Sequence, residues 1–194
     1  MNVISQEQRA RVIACLVEGN SIRATVRLTG VAKNTVTKLL VDIGRACTEY
    51  QDKAFRNLKC KRIQCDEIWS FIGSKEKNTS AEKKAKGNGD CWTWTALCPD
   101  TKLVPCWFVG TRDAGAAYHF MHDLADRLAH RVQLTTDGPK AYLSAVESAF
   151  GSEIDYAQLQ KIYGSEGAPK EQRRNPIQPG TVHGRTESDH FGDA

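Results

Sequence analysis

Residues Lys61–Gly73 read Lys-Arg-Ile-Gln-Cys-Asp-Glu-Ile-Trp-Ser-Phe-Ile-Gly, and the rest of the chain is organised around them. β-Branched and aromatic residues cluster in this stretch, no proline interrupts it and a glycine closes it, so it predicts one long strand. Asp66 and Glu67 stand side by side in its middle, although acidic residues are depleted from strands. Successive side chains of a strand point to opposite faces, so Glu67 is expected to face away from Asp66, in a structural ion pair. A carboxylate on a core strand must be paired, neutralised or bound to a metal. A second strand-like run, Val132–Thr136, gives way to Asp137-Gly138-Pro139. Taken singly, Asp66 reads as salt-bridged and Asp137 as a turn cap. Brought together by neighbouring strands, the two would make a site for a hard divalent cation such as magnesium.

Working outward, 194 residues suffice for one ordinary domain and a small one, and 40% hydrophobic content suffices for a core. No apolar run is long enough to span a membrane. Met-Asn-Val-Ile-Ser-Gln-Glu does not read as a signal peptide, so the expected location is cytoplasmic. Seven cysteines are scattered through apolar segments with no Cys-x-x-Cys pair, which suits reduced, buried thiols and not a disulfide framework or a zinc site. Charge is uneven. Residues 1–64 hold 12 Lys+Arg against 5 Asp+Glu, and residues 65–194 hold 15 against 18. A basic N-terminal third on a mildly acidic remainder suggests a nucleic-acid-binding module joined to something else.

Ser5-Gln6-Glu7-Gln8 is a capping box before a helix whose apolar stripe is Val12, Ile13, Leu16 and Val17. Gly19-Asn20 stops it. Ser21 caps a second helix through Ile22, Val26 and Leu28, which Gly30 breaks. A third starts near Ala32, with Val36, Leu39, Leu40 and Ile43 as its stripe, and is expected to continue past Gly44 to Leu58 as a connector unless Gly44 breaks it. Two short helices hinged at a glycine, with valines filling the angle, make a helix-turn-helix. Lys33, Asn34, Thr35, Thr37 and Lys38, at the start of the third helix, can all hydrogen-bond to bases or phosphates. The bland alternative is a small helical bundle with a solvated polar face.

Beyond the long strand, lysine-rich Gly73–Asp90 reads as an exposed, mobile hairpin loop. Cys91–Leu97 alternates as a strand, and Leu103–Thr111 is a third, with Pro105 marking a bulge or edge. Asp113 caps a helix through Leu128, Val132–Thr136 returns as a strand, Ala141–Phe150 is a helix and Ile154–Ile162 a fifth strand. This order predicts an α/β (α+β) chain with a mixed sheet and helices on its faces, β-β-β-α-β-α-β. Trp69, Trp92 and Trp94 read as core, and His119 with His122, three apart on a helix, makes only a weak zinc motif.

That order, with Cys-Asp-Glu-Ile-Trp-Ser-Phe at 65–71, Trp-Thr-Trp-Thr-Ala-Leu at 92–97 and Thr-Asp-Gly-Pro-Lys-Ala-Tyr at 136–142, resembles the ribonuclease H-like fold. More narrowly it resembles DDE transposases of bacterial insertion sequences of the insertion-sequence-one type, over about residues 1–165. The resemblance implies a helix-turn-helix domain with connector at 1–58, an incomplete catalytic domain at 59–165, and a disordered or out-of-frame tail at 166–194. It implies Asp66 and Asp137 as catalytic residues and ligands of Mg2+ or Mn2+. It also implies two-metal strand cleavage and transfer, with the ions roughly 4 Å apart. The implied partners are double-stranded DNA, as terminal inverted repeats and target, and further copies of the chain as a homo-oligomer. The cysteine-rich zinc module of some relatives is absent, so no zinc is expected.

The family's third acid, a Glu in a motif like Glu-Arg-Gln-Asn, does not occur in this chain. Glu171 and Glu187 are the nearest candidates, in a stretch punctuated by Pro169, Pro176, Pro179, Gly180, Gly184 and Gly192 with no helical stripe. A one-nucleotide shift across His183–His190 permits Met-Glu-Gly-Gln-Asn-Leu-Thr, close to the missing motif. A reading-frame slip and a natural disordered extension both account for the tail. Three functions follow as expectations: an inactive transposase fragment, a catalytically dead DNA-binding protein that represses its parent element, and a structure-specific nuclease on the same fold.

Overall fold

The computed structural model describes residues 4–138 and 140–159 and the backbone of a short strand at 187–189. The chain divides into two compact units, Met1–Phe55 and Arg56–Ala194.

In the first unit, α1 (Gln6–Val17) starts at a complete capping box. The Gln8 amide donates to Ser5 Oγ at 3.2 Å and the Ser5 amide to Gln8 Oε1 at 3.1 Å, which satisfies two otherwise orphaned donors. Ser21 caps α2 (Ile22–Thr29) through the Ala24 amide. Gly30 then takes the left-handed conformation, φ 71°, and its amide closes the helix on the Val26 carbonyl. The third helix, α3, runs from Lys33 to Ala54. Val12, Val31 and Val36 form the small core, with Ile4, Leu16, Ile22, Val26 and Leu39 packed against it.

Two expectations fail in this unit, the burial of the whole apolar stripes and the reach of the connector. Val17 is 78% exposed and Leu28 58%, and Leu40 is exposed as well. Three helices of this length enclose little interior, so only the centre of each apolar stripe is buried. The connector does not reach Leu58. Phe55 is the C-cap of α3, and Asn57 adopts φ 54°, a left-handed conformation that asparagine tolerates and a helix does not. Leu58 instead bridges to Leu128, exchanging hydrogen bonds with Arg127 and Ala129.

The second unit is a mixed α/β structure built on a single mixed sheet. Strand β1 (Arg62–Ile72) pairs antiparallel with β2 (Gly89–Leu97) from Gln64↔Leu97 to Ile72↔Gly89. The turn between them is organised: a 3-10 turn at Glu76–Asn78 and the short helix α4 (Ala81–Ala85) are tied by a Lys84–Glu76 ion pair and by the Glu76 amide on Asp90 Oδ1. The expected open loop is therefore corrected to a structured, exposed excursion. β3 (Trp107–Gly110) is shorter than Leu103–Thr111, because buried Pro105 has no amide to give the ladder.

Parallel neighbours need crossovers, and two helices supply them. α5 (Ala114–Ala125) leads into β4 (Gln133–Asp137), and α6 (Ala141–Phe150) into β5 (Asp155–Leu159). β4 lies parallel to both β1 and β5. The expected extension of β5 to Ile162 lies outside the described residues. Within the tail, Glu187–Asp189 forms β6, antiparallel to β5; Glu171 and the rest of the tail lie outside the described residues.

Ile63, Cys65, Trp94, Leu134, Phe120, Met121, Leu124, Tyr142 and Val146 make the core between the sheet and the α5/α6 pair. Trp94 sits at its centre, edge-on to Tyr142 at 5.4 Å, with its indole N–H donating to the Thr111 carbonyl at 3.0 Å. The alternate positions face the other way. Among the described residues that second face carries Ile68, Thr93, Thr95, Trp107 and Val109, and it also carries Asp66. Within the same set no helix is long and apolar enough to cross a membrane.

Candidate functional site

Strands β1 and β4 run side by side from Arg62↔Gln133 to Cys65↔Thr136, and there the pairing stops. The next residues are Asp66 and Asp137. Paired positions share a face, so the two carboxylates emerge on the same side of the sheet, opposite the α5/α6 core. β4 ends at Asp137 while β1 continues, so among the described residues β1 has no neighbour on that flank from Asp66 onward.

The backbone around both acids is held. Asp66 Oδ1 accepts the Glu67 amide at 2.8 Å, so the Asp66 side chain folds along the strand toward the next residue. The Asp66 carbonyl accepts from Thr95 Oγ1 at 3.3 Å. Two side chains, Thr136 Oγ1 at 2.9 Å and Gln158 Nε2 at 3.2 Å, hydrogen-bond to the Asp137 carbonyl. Thr136 is tied in turn to the Tyr156 hydroxyl at 2.8 Å. The strand end therefore cannot swing freely, which a binding carboxylate requires.

Glu67 corrects one expectation and follows another. It is in an ion pair, with Arg112: Nε at 2.9 Å and Nη2 at 2.8 Å, both on Oε2. The Arg112 guanidinium lies 4.7 Å from the centre of the Trp92 ring, so a cation–π contact fixes it from the other side. The carboxylate does not, however, lie apart from Asp66. Oxygens of Asp66, Glu67 and Asp137 all fall within 4.8 Å of one another. Alternation holds along the backbone, where Asp66 pairs with Thr95 and Glu67 with Trp94, and the carboxylates approach one another because Asp66 curls back over the Glu67 amide beside the end of β4. Asp66 is exposed, Asp137 is half-buried and the Glu67 side chain is 1% exposed. Glu67 Oε1 is buried and has no hydrogen bond among the described residues.

Beneath the acids, burial pushes the Tyr142 phenol far above its usual pKa, and the neighbouring Cys65, a side-chain interaction with Glu67 and the Asp137 carboxylate add to this. Burial raises the Cys65 thiol too, followed by Cys106, Glu67 and Asp66. Both groups therefore stay protonated and neutral below the acids. Three hard oxygen donors converging beside a buried carboxylate oxygen fit a hard divalent cation such as Mg2+ or Mn2+.

Lys33, Asn34, Thr37 and Lys38 are exposed on the first turns of α3, and Thr35 is half-buried. Lys38 is engaged with Asp42 at 2.6 Å, a solvent-exposed pair one helical turn apart. The N-cap residue is Ala32, which offers no side-chain cap to the first amides of the helix.

Of the tryptophans read as core, Trp94 is buried and Trp92 half-buried, but Trp69 is 40% exposed, with Lys75 over its ring at 4.9 Å. His119 stacks on Phe108, and His122 lies 3.2 Å from Ser148 Oγ. Cys60, Cys65, Cys98 and Cys106 are buried, whereas Cys47 is exposed. Arg112 was not singled out from the sequence; an arginine just past a strand carries no motif. Tyr142 stood in a quoted motif without a role.

No protein-family model and no curated protein matches the sequence. Among solved structures, the chain is similar to a piggyBac transposase in a cryo-EM synaptic complex with hairpin DNA, at 13% identity and a TM-score of 0.38. The match covers 86% of this chain and 33% of the other, so the chain spans about a third of that protein's length. A superposition that loose assigns neither fold nor activity.

Proposed function

We propose that this chain is a DNA-binding protein of the DDE transposase type, of the insertion-sequence-one kind, with a helix-turn-helix unit and a ribonuclease H-like unit. The observation that carries the reading is the meeting of Asp66 and Asp137 where β4 ends beside β1. The element order β-β-β-α-β-α-β, with the 3-10 turn at Glu76–Asn78 and the small α4 inserted in the first hairpin, supports it. Asp66 and Asp137 would hold Mg2+ or Mn2+, and the bound ion would supply activation of a water or 3′-hydroxyl and charge stabilisation at phosphorus. Asp66 is exposed, so a DNA phosphate can approach from solvent. Thr95, Thr136 and Gln158 hold the two strand backbones that aim the acids.

In the first unit, Gly30 makes the tight turn and the first turns of α3 present Lys33, Asn34 and Thr37 beside an N-terminus without a side-chain cap, a combination suited to phosphate and base contacts. Terminal inverted repeats are the proposed target, with cleavage and transfer shared between copies of the chain. A second reading needs only the basic first unit and a folded second one: a protein that occupies repeat ends without cutting them and represses its parent element.

Fluorescence anisotropy with a duplex at several salt concentrations tests the common part. Affinity is expected to fall steeply with salt, and Lys33→Ala with Asn34→Ala to weaken it. A chain with no salt-dependent duplex binding overturns both readings. Nicking of supercoiled DNA in Mn2+ above the Asp66→Asn background selects the transposase; intact binding without nicking selects the repressor.

A further inference from the structure

We propose that Glu67, the residue next to Asp66 on the same strand, supplies the third carboxylate of the site, so that Asp66, Glu67 and Asp137 hold one divalent cation. The inference rests on reading Asp66 and Asp137 as metal ligands. Three features of Glu67 point to it.

Its side chain is 1% exposed, yet only half of its carboxylate is used. Both Arg112 nitrogens converge on Oε2. Oε1 is buried and has no hydrogen bond among the described residues, although its carboxylate lies within 4.8 Å of the Asp66 and Asp137 oxygens. A buried ionised oxygen without a partner is costly, and a cation shared with two neighbouring acids removes that cost.

The charges also match. Arg112 offsets one of the three carboxylates and leaves two negative charges, which one divalent ion neutralises. Three carboxylates this close without an ion would repel one another. The spacing is right as well. Two oxygens across one ion lie about 4 Å apart for Mg2+ and roughly 5 Å for Ca2+. Arg112 and Trp92 hold Oε2 from behind, and a fixed outer partner of this kind orients a ligand. A strand neighbour thus takes the place expected for an acid on a later helix, and the donor set accommodates one ion.

Tb3+ luminescence of the full chain tests this, with lifetimes in H2O and D2O counting the waters on the ion and Mn2+ competition giving affinity. Glu67→Gln is expected to weaken binding by about tenfold or more and to admit about one extra water. Glu67→Asp keeps the charge but shortens the reach, and is expected to admit the water too, which covers the case in which Glu67→Gln does not fold. Melting without metal establishes that each variant is folded. If both Glu67 variants keep the wild-type affinity and water count while Asp66→Asn and Asp137→Asn lose the ion, Glu67 is only the partner of Arg112. The proposal then falls and the two-aspartate site stands. If the wild-type chain binds neither Tb3+ nor Mn2+, the metal reading itself falls.

Discussion

Arg112 gives two N–H bonds to a single oxygen of Glu67, at 2.9 and 2.8 Å, while its guanidinium rests on Trp92. Arg112 is 39% exposed and Glu67 is not, so the two partners differ in what their removal costs. Arg112→Ala strands a buried carboxylate. The expected loss is about 3 kcal/mol, the lower end for a broken buried pair, because water reaches the vacated position. Arg112→Lys restores the charge but not the fork, and should recover only part of it. Urea melts of both variants check this; an Arg112→Ala chain as stable as wild type would mean that the pair contributes nothing net.

Gly30 makes a different kind of prediction. Its φ of 71° closes α2, and a Cβ there would meet nothing within 4 Å. Space is therefore not the obstacle; the backbone conformation is. Gly30→Ala should cost the N-terminal unit about 1 kcal/mol, and β-branched Gly30→Val more. Gly30→Asn should be the mildest of the three. Because the turn sets where α3 begins, the duplex binding proposed above should weaken more with Gly30→Val than with Gly44→Ala; Gly44 sits within α3 with open space around it.

Acid should loosen the second unit from its edges. Asp100 is held below its ordinary carboxylate range by hydrogen bonds from Arg62, Asp155 by those from Arg131, and Asp113 by the Thr111 hydroxyl and the Ala116 amide it caps. A pKa depressed in the folded state contributes stability that is present above the unfolded value, near 3.8 for aspartate, and is lost as pH falls through the folded value. The melting temperature is therefore expected to be flat in this respect above about pH 5 and to drop below pH 4. Asp155→Asn should lower the plateau and make the acid drop shallower. An unchanged acid profile in that variant would show that the Arg131 pair is fully screened by solvent.

Much of this architecture is written in local signals. The Ser5 box, the Ser21 and Asp113 caps and the Gly30 stop each leave a residue-type signature within a few positions of the helix end they make. Asp66 and Asp137 were legible because carboxylates at the middle and end of strands are unusual. Glu67 faces away from Asp66 along the backbone and is ion-paired as alternation suggests, but the approach of its carboxylate to Asp66 and Asp137 depends on side-chain conformations that alternation does not encode. Arg112, Trp92 and Tyr142 join the site only through tertiary packing, and no spacing announces that. Exposed Val17, Leu28 and Leu40 follow from the size of the first unit, which periodicity does not encode.

Thiol chemistry reads the same burial directly. Cys47 lies exposed on α3, whereas burial pushes the Cys60 thiol up to about 11 and raises Cys65 and Cys106 further. At pH 8 a maleimide should modify Cys47 quickly. Cys65 and Cys106 should react only at the rate of unfolding, because the thiolate that attacks is scarce and enclosed. Mass spectrometry of a labelling time course checks the order; early loss of the Cys65 thiol would mean that the β1/β4 junction opens in the native state.

Tyr142 decides how Glu67 Oε1 is to be understood. Its hydroxyl is buried and has no partner at full hydrogen-bond geometry among the described residues, yet it interacts with the Glu67 side chain, which helps raise its pKa. A buried hydroxyl without a partner costs stability, so Tyr142→Phe, which deletes the oxygen and keeps the ring against Trp94, should be neutral or stabilising by up to about 1 kcal/mol. It should also leave cation affinity unchanged. If the hydroxyl instead donates to Oε1 in solution, the substitution removes a hydrogen bond to a charged acceptor and should cost about 1.5–3 kcal/mol. Paired melts of wild type and Tyr142→Phe, each with and without Mn2+, separate these outcomes. A large loss that Mn2+ does not restore would mean that Tyr142 satisfies Oε1, and would remove one of the reasons for placing Glu67 on the ion.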